Sequence, residues 1–351
     1  MKWYYGLCLV ICCLMVWTQC RKDSENPAEP EKTGFVVHKI NYNGWKEAIE
    51  IKNNSTQVVV VPAIGRIMFY GFKDGPNLLW NDPTFYGRTL PPNQPYTVNG
   101  RVQWANFGGD KVWPTEQADF PKINDRSWPP DHWFDGQAHT YEILENGVRI
   151  TSPVSDYCGA RGIREIKLGL EGSRLTIEQI IEKVKPARKS SVEPISYTIW
   201  NVTQIVSPVV ALFNLNPNSK FLNKYYSFPN NPPKNFVVED QVGLFVPDPV
   251  QSQKAGADSD EWLAAIIGNT VISEFFSLEP EREYPDGGLS AEVYTCSEYT
   301  ELELLSPLKQ LSVGQSLTHT IHWDLYALPA TAKTLNEKIN AATTWLNDWW
   351  D

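Results

Sequence analysis

The chain has 351 residues, 42% of them hydrophobic, and a formal net charge of -10. That length buries a large core in one or two domains. The acidic balance, with no Lys/Arg cluster, excludes a nucleic-acid partner, because neutralising phosphates takes grouped cations.

Lys2 begins a short basic region, and residues 3–17 (WYYGLCLVICCLMVW) form an apolar run. The run has the length of a signal-peptide core and falls short of a membrane span. Cys20 follows, and then RKDSENPAEPEKTG, a charged, proline-containing tether. The arrangement predicts a lipoprotein signal peptide over residues 1–20, lipidation of Cys20, a flexible tether over 21–33 and one folded domain over 34–351. Trp17, Thr18 and Gln19 stand where small residues usually precede such a cysteine, so an ordinary secretory signal cut nearby is the alternative. Either way the mature protein is expected outside the cytoplasm, in the periplasm or at the outer membrane, touching a membrane only through the anchor. Cys8, Cys12 and Cys13 leave with the signal. Cys158 and Cys296 remain, show no metal-ligand spacing and are expected to stay unpaired.

From residue 34 the pattern is strand after strand. GFVVHKI, EAIEI, QVVVVPAI and RIMFYGF are separated by NYNG, KNNS and KDGPN. Residues 104–136 (WANFGGDKVWPTEQADFPKINDRSWPPDHWFDG) then break the pattern, too rich in Pro, Gly, Asp and Asn for a helix and without sustained alternation. Long loops inside a domain are usually functional or disordered, and disordered segments are poor in aromatics. Here Trp104, Trp113, Trp128 and Trp133 stand among Asn106, Asp110, Lys111, Gln117, Asp131, His132 and Asp135. Flat aromatic faces beside fixed polar groups suit a sugar, whose C–H faces stack and whose hydroxyls hydrogen-bond. A packed loop whose tryptophans plug a sheet edge fits the same composition.

Strands resume with THTYEIL, GVRITSPV, GIREIKLGL and RLTIEQIIE, with Asn146-Gly147 and Glu171-Gly172 as hairpin signals. ISYTIWNVTQIV and VVALFNL follow, then LFVPD, WLAAIIG, TVISEFFSL, SAEVYTC, YTELELLS and SLTHTIHWDLYAL. Residues 214–260, rich in Asn, Pro and Lys, read as long sheet-edge loops. Only the tail, TAKTLNEKINAATTWLNDWWD, has helical spacing, with Leu335, Ile339, Ala342 and Leu346 on one face. The predicted fold is all-β: a large antiparallel β-sandwich with a short C-terminal helix.

The order of these elements resembles the galactose-mutarotase-like (aldose 1-epimerase-like) superfamily over residues 36–328. VVPAIGRIMFYGF followed by NLLW resembles its opening; NGVRITSPV, GIREIKLGLEGSRLTIEQIIE and YTIWNVTQI resemble its central meander; YTELELLSPLKQLSVGQSLTHTIHWDLYAL resembles its close. GGDKVWPTEQ and WPPDHWFDG look most like a bacterial lipoprotein branch. The resemblance implies a supersandwich with a sugar-binding groove. It also implies interconversion of aldose anomers, a glutamate taking the anomeric hydroxyl proton while a histidine protonates the ring oxygen. Glu303 matches the glutamate, and Glu301 is two residues away, on the same face of a regular strand. Trp200 stands where the histidine is expected and cannot transfer a proton, though it can stack on a sugar. His132, between Asp131 and Trp133, is then the best acid among the histidines. His139 lies nearby in sequence; His38, His319 and His322, on strands, read as structural. Arg66 and Lys111 are candidate partners for hydroxyls or a carboxylate.

Two readings follow. One is an isomerase acting on an aldose or uronate; the other is a non-catalytic sugar- or oligosaccharide-binding surface lipoprotein that lost proton transfer at Trp200. A polysaccharide lyase would need a further helical domain. No cofactor and no metal are expected.

Overall fold

The computed structural model describes Met1 and residues 34–348. The rest of the expected signal peptide, the tether and Cys20 lie outside these residues. Among the described residues the strands form two ten-stranded antiparallel sheets and two two-stranded ones.

The first sheet runs Val36–Tyr42, Trp45–Lys52, Thr56–Val61, Arg66–Phe72, Asp110–Trp113, Trp200–Val206, Tyr299–Leu305, Ala291–Thr295, Gln253–Ala257 and Tyr226–Ser227 from edge to edge. The second has Trp262–Ile267, Thr270–Phe275, Ser316–Ala327 and Leu175–Lys183 at its centre. Sequence periodicity explains how each strand sits. Ala160–Leu168 and Leu175–Lys183 alternate strictly between buried and half-buried positions and pair from Ala160↔Lys183 to Leu168↔Leu175. One row of side chains therefore enters the core while the other meets water. Thr56–Val61, a nearly unbroken valine run, is buried on both faces. The main core lies between the sheets, where Ile49, Val58, Ile67, Leu302 and Leu304 of the first meet Ile166, Ile177, Ile321 and Trp323 of the second.

The C-terminal helix is Leu335–Asp348. Thr334 and Glu337 cap it reciprocally: Glu337 Oε2 accepts from the Thr334 N–H and the Glu337 N–H bonds back to Thr334 Oγ1. Ile339, Ala342 and Leu346 bury against Val210, Trp262 and Phe275. Leu335, expected on that face, is 37% exposed because it opens the helix.

Two segments depart from expectation. Residues 104–136 are not wholly irregular: Asp110–Trp113 is a strand inside the first sheet, followed by a 3-10 turn at Gln117–Asp119 and the short helix Phe120–Ile123. The strand shows no alternation because all four of its side chains are buried, two of them charged. Its entry depends on Gly108 and Gly109, both at positive φ, where an added Cβ would come within 2.3 Å of the carbonyl oxygens of Trp80 and Ile67. Residues 214–260 contain Phe236–Glu239 and Tyr226–Ser227 at sheet edges, as edge loops would, but also Gln253–Ala257, one strand further in.

Candidate functional site

The outward face of the first sheet is set by register. Trp200 lies opposite Trp113, Val202 opposite both Lys111 and Glu303, Gln204 opposite Glu301, Tyr294 opposite Glu301, and Lys254 opposite Tyr294. Because side chains alternate along each strand, these residues share one surface. Of these, Trp113, Trp200, Lys254, Tyr294, Glu301 and Glu303 line a cleft of about 400 Å³ together with Trp104, Gln117, Trp128, Asn231 and Tyr299, while Lys111, Val202 and Gln204 are buried beneath it. A hollow of this size suits a small ligand. A larger hollow of about 630 Å³ lies beside the C-terminal helix, among Glu239, Asp240, Asp260 and Asn347; it has no aromatic wall.

The wall is built from indoles packed edge to face. Trp128 meets Trp104 at 5.0 Å and Trp113 at 5.8 Å between centroids, and Trp113 meets Trp200 at 4.9 Å. Asp135 fixes two of them, its Oδ2 accepting from Trp104 Nε1 at 2.8 Å and Trp113 Nε1 at 3.1 Å. Its other oxygen pairs with Arg66, which is fully buried and also donates to the Gly108 carbonyl. Arg66 and Asp135 therefore hold the wall from behind and are not among the lining residues.

On the floor, Glu303 Oε2 accepts from Trp200 Nε1 at 2.8 Å and from Lys254 Nζ at 3.1 Å, while Oε1 has no hydrogen-bond partner. Lys254 also pairs with Glu292 at 2.6 Å. Burial opposes the Lys254 charge, but Glu292 and Glu303 more than offset it and raise its pKa above the ordinary lysine value. Glu301 accepts from Gln204 Nε2 at 3.0 Å and lies 3.5 Å from Lys111 Nζ. Burial raises the Glu301 carboxyl, with Lys111 working the other way. Lys111 lies beneath Trp104 and Trp113, and burial lowers it to about 7.

Of the sequence-derived site residues, Trp104, Trp113, Gln117, Trp128, Trp200, Glu301 and Glu303 come together around the cleft, with Lys111 beneath it. Asn106 is half-buried behind Tyr299, whose hydroxyl it hydrogen-bonds. The others lie elsewhere. Asp110 points inward between the sheets, pairing with Arg164 and accepting from Asn201 Nδ2 at 2.8 Å and Thr203 Oγ1 at 3.0 Å. Facing the core, it cannot meet a ligand in the cleft. Asp131 ties down its own loop, accepting from Ser155 Oγ and the Trp133 N–H; burial raises it to about 6. Trp133 belongs to a buried cluster with Phe134, Tyr157 and Ile181.

His132 packs on Trp133 and Tyr157, outside the lining, and burial lowers it to about 4. It is neutral at neutral pH, and the structure gives it no access to Glu303's ligand. The sequence reading missed Lys254, Glu292, Tyr294, Tyr299 and Asn231. The signal for the tyrosines was the alternation of SAEVYTC and YTELELLS; Lys254 had none, since its strand is embedded in a polar stretch.

No protein-family model and no curated protein matches the chain. Solved structures do share its architecture. A candidate aldose 1-epimerase from Klebsiella pneumoniae superposes with a TM-score of 0.56 over 88% of this chain and 86% of its own, at 9% identity. The chain carries the galactose-mutarotase-like fold. A candidate mutarotase from Salmonella typhimurium gives 0.50 over 83% and 94%, at 11% identity. A TPR-domain-containing protein from Parabacteroides distasonis gives 0.50 at 13% identity, and there the chain covers 87% of itself but only 57% of the longer protein. At these identities the galactose-mutarotase-like assignment describes architecture; the chemistry rests on the cleft.

Proposed function

We propose that this protein binds a neutral aldose, free or at the end of an oligosaccharide, in the tryptophan-lined cleft, and that Glu303 acts as a base on its anomeric hydroxyl. The observation that carries the reading is the juxtaposition of indoles packed edge to face with a floor carboxylate whose Oε1 lacks a hydrogen-bond partner. Indole faces cover the apolar side of a pyranose, and the carboxylate accepts from a hydroxyl. Charge favours a neutral sugar over a uronate. The cation in the lining is Lys254, already bracketed by Glu292 and Glu303, so a sugar carboxylate would meet Glu301 and Glu303 without a free counter-ion.

A second reading, binding without turnover, is supported by Trp200, which stands where the resemblance places a proton-transferring histidine. Calorimetric titration with D-glucose, D-galactose and D-glucuronate tests the binding. Saturable binding of a neutral hexose, with glucuronate weaker, is expected; no binding by any of them, or preference for the uronate, contradicts the reading. The anchor at Cys20 is part of the same proposal: Cys20→Ser should move the protein from the membrane to the soluble fraction. A wild-type protein already soluble on fractionation would remove the anchor.

A further inference from the structure

The Tyr299–Leu305 strand presents two carboxyl groups to the cleft from the same wall. Glu301 and Glu303 are alternate residues, so their Cα atoms stand about 6.6 Å apart along the strand. Both line the cleft. Their surroundings differ in kind. Glu303 accepts from an indole N–H and an ammonium. Glu301 accepts from a neutral amide, and the lysine facing it, Lys111, stands 3.5 Å away and is itself disfavoured as a cation by burial. Two carboxyls in one site, one held by an indole and an ammonium and the other by a neutral amide, are the material for a base and an acid.

We propose that Glu301 is the acid of the anomeric exchange, filling the place that neither Trp200 nor His132 can fill; this rests on the reading of Glu303 as the base. The Glu303 carboxylate takes the proton from the anomeric O1. The O1 electrons form C1=O1, the C1–O5 bond breaks with its electron pair going to O5, and O5 takes the proton of the Glu301 carboxyl. Rotation about C1–C2 exposes the other face of the aldehyde. Reclosure reverses each transfer: O5 attacks C1, Glu301 recovers its proton, and O1 recovers its proton from Glu303. No proton or electron is gained or lost overall.

The placement of the pair distinguishes this reaction from glycoside hydrolysis. There the two carboxyls flank the scissile bond, one serving the leaving group and the other the opposite face of the ring. Here both approach from one strand, and O1 and O5, both bonded to C1, are reachable from one side. Burial keeps Glu301 protonated above the ordinary carboxylate range. The charged or titratable groups facing it are Lys111 and Arg66 from two strands on one side in the same sheet, Glu303 and Tyr299 from its own strand, Tyr294 from the adjoining strand on the other side and Lys254 from the strand beyond that.

The test is NMR exchange spectroscopy between the α and β anomers of D-glucose and D-galactose with the full chain, alongside calorimetric affinities. Catalysed exchange is expected in the wild type, lost by roughly 10²–10⁴-fold in Glu301→Gln while affinity changes no more than about threefold. The wild-type rate should fall as pH rises and Glu301 deprotonates, and Glu301→Gln should lack that limb. Glu301→Gln should melt as the wild type does, since glutamine keeps the Gln204 contact. Exchange retained in Glu301→Gln but lost in Glu303→Gln overturns the acid assignment and leaves the base reading standing. Hexose bound without wild-type exchange overturns both catalytic assignments and leaves the binding reading; hydrolysis of p-nitrophenyl glucosides or galactosides without anomer exchange overturns this reaction.

Discussion

The strands Asp110–Trp113, Trp200–Val206 and Tyr299–Leu305 carry polar side chains on both faces, and the two faces have opposite characters. Inward, Asp110 is closed by Arg164, Asn201 and Thr203. Outward, one backbone step away, Lys111, Glu301 and Glu303 form a floor on which Glu303 Oε1 is without a partner. Asp110 is fully partnered within the protein, and cutting those bonds costs stability; Glu303 keeps one oxygen without a partner, and its side chain lines the cleft. Burial alone does not separate them, since Asp110 is 0% and Glu303 1% exposed. What differs is what each borders: Asp110 faces Arg164 of the second sheet, and Glu303 lines the cleft.

Variants on the two faces should therefore fail in different ways. The largest effect is expected from Glu303→Gln, which removes the base: catalysed anomer exchange should fall by about 10²–10⁴-fold with the melting temperature nearly unchanged. A variant that unfolds instead would make Glu303 a structural residue like Asp110. Asp110→Ala, on the inward face, should cost about 3–5 kcal/mol in denaturant unfolding because it strands the buried Arg164 charge. A stable Asp110→Ala that has lost only sugar binding would reverse the comparison.

Trp133→Ala sharpens the contrast within the loop. Its ring is in a buried cluster, so about 3–5 kcal/mol of stability should be lost. Trp128, 41% exposed on the cleft wall, should behave otherwise. Trp128→Ala should weaken hexose binding by roughly 2–10-fold, the worth of one stacking contact, while unfolding stays close to wild type. Equal effects of the two substitutions on affinity would show that the loop does not divide into wall and core.

The sequence made one half of this legible. Alternation identified Ala160–Leu168 and Leu175–Lys183, Glu171-Gly172 marked the turn between them, and Asn146-Gly147 marked the hairpin of Thr140–Leu144 with Gly147–Thr151, because these signals are local. The same period of two put Glu301 and Glu303 on one face. What stayed hidden depends on pairing between distant strands. Asp110 and Lys111 are adjacent in sequence, and nothing local says which of them faces the core; the turn at Gly108–Gly109 and the register against Trp200–Val206 decide it. His132 had a carboxylate and a tryptophan beside it in sequence, but Tyr157 packs on it from another part of the chain, and burial, with Arg126 nearby, lowers its pKa. Lys254 reaches Glu303 only because Gln253–Ala257 pairs with Ala291–Thr295, which pairs with Tyr299–Leu305.

The most direct test of the cleft is the indole region of a proton–nitrogen correlation spectrum during titration with a neutral hexose. Trp200 Nε1–H donates to Glu303, and Trp104 and Trp113 donate to Asp135, so each reports on the site through its own hydrogen bond. The resonances of Trp200, Trp104, Trp113 and Trp128 should move with one binding constant, while those of the buried Trp45, Trp262 and Trp323 stay fixed. Saturable binding that leaves the Trp200 resonance unmoved, or that shifts the buried set instead, would contradict it.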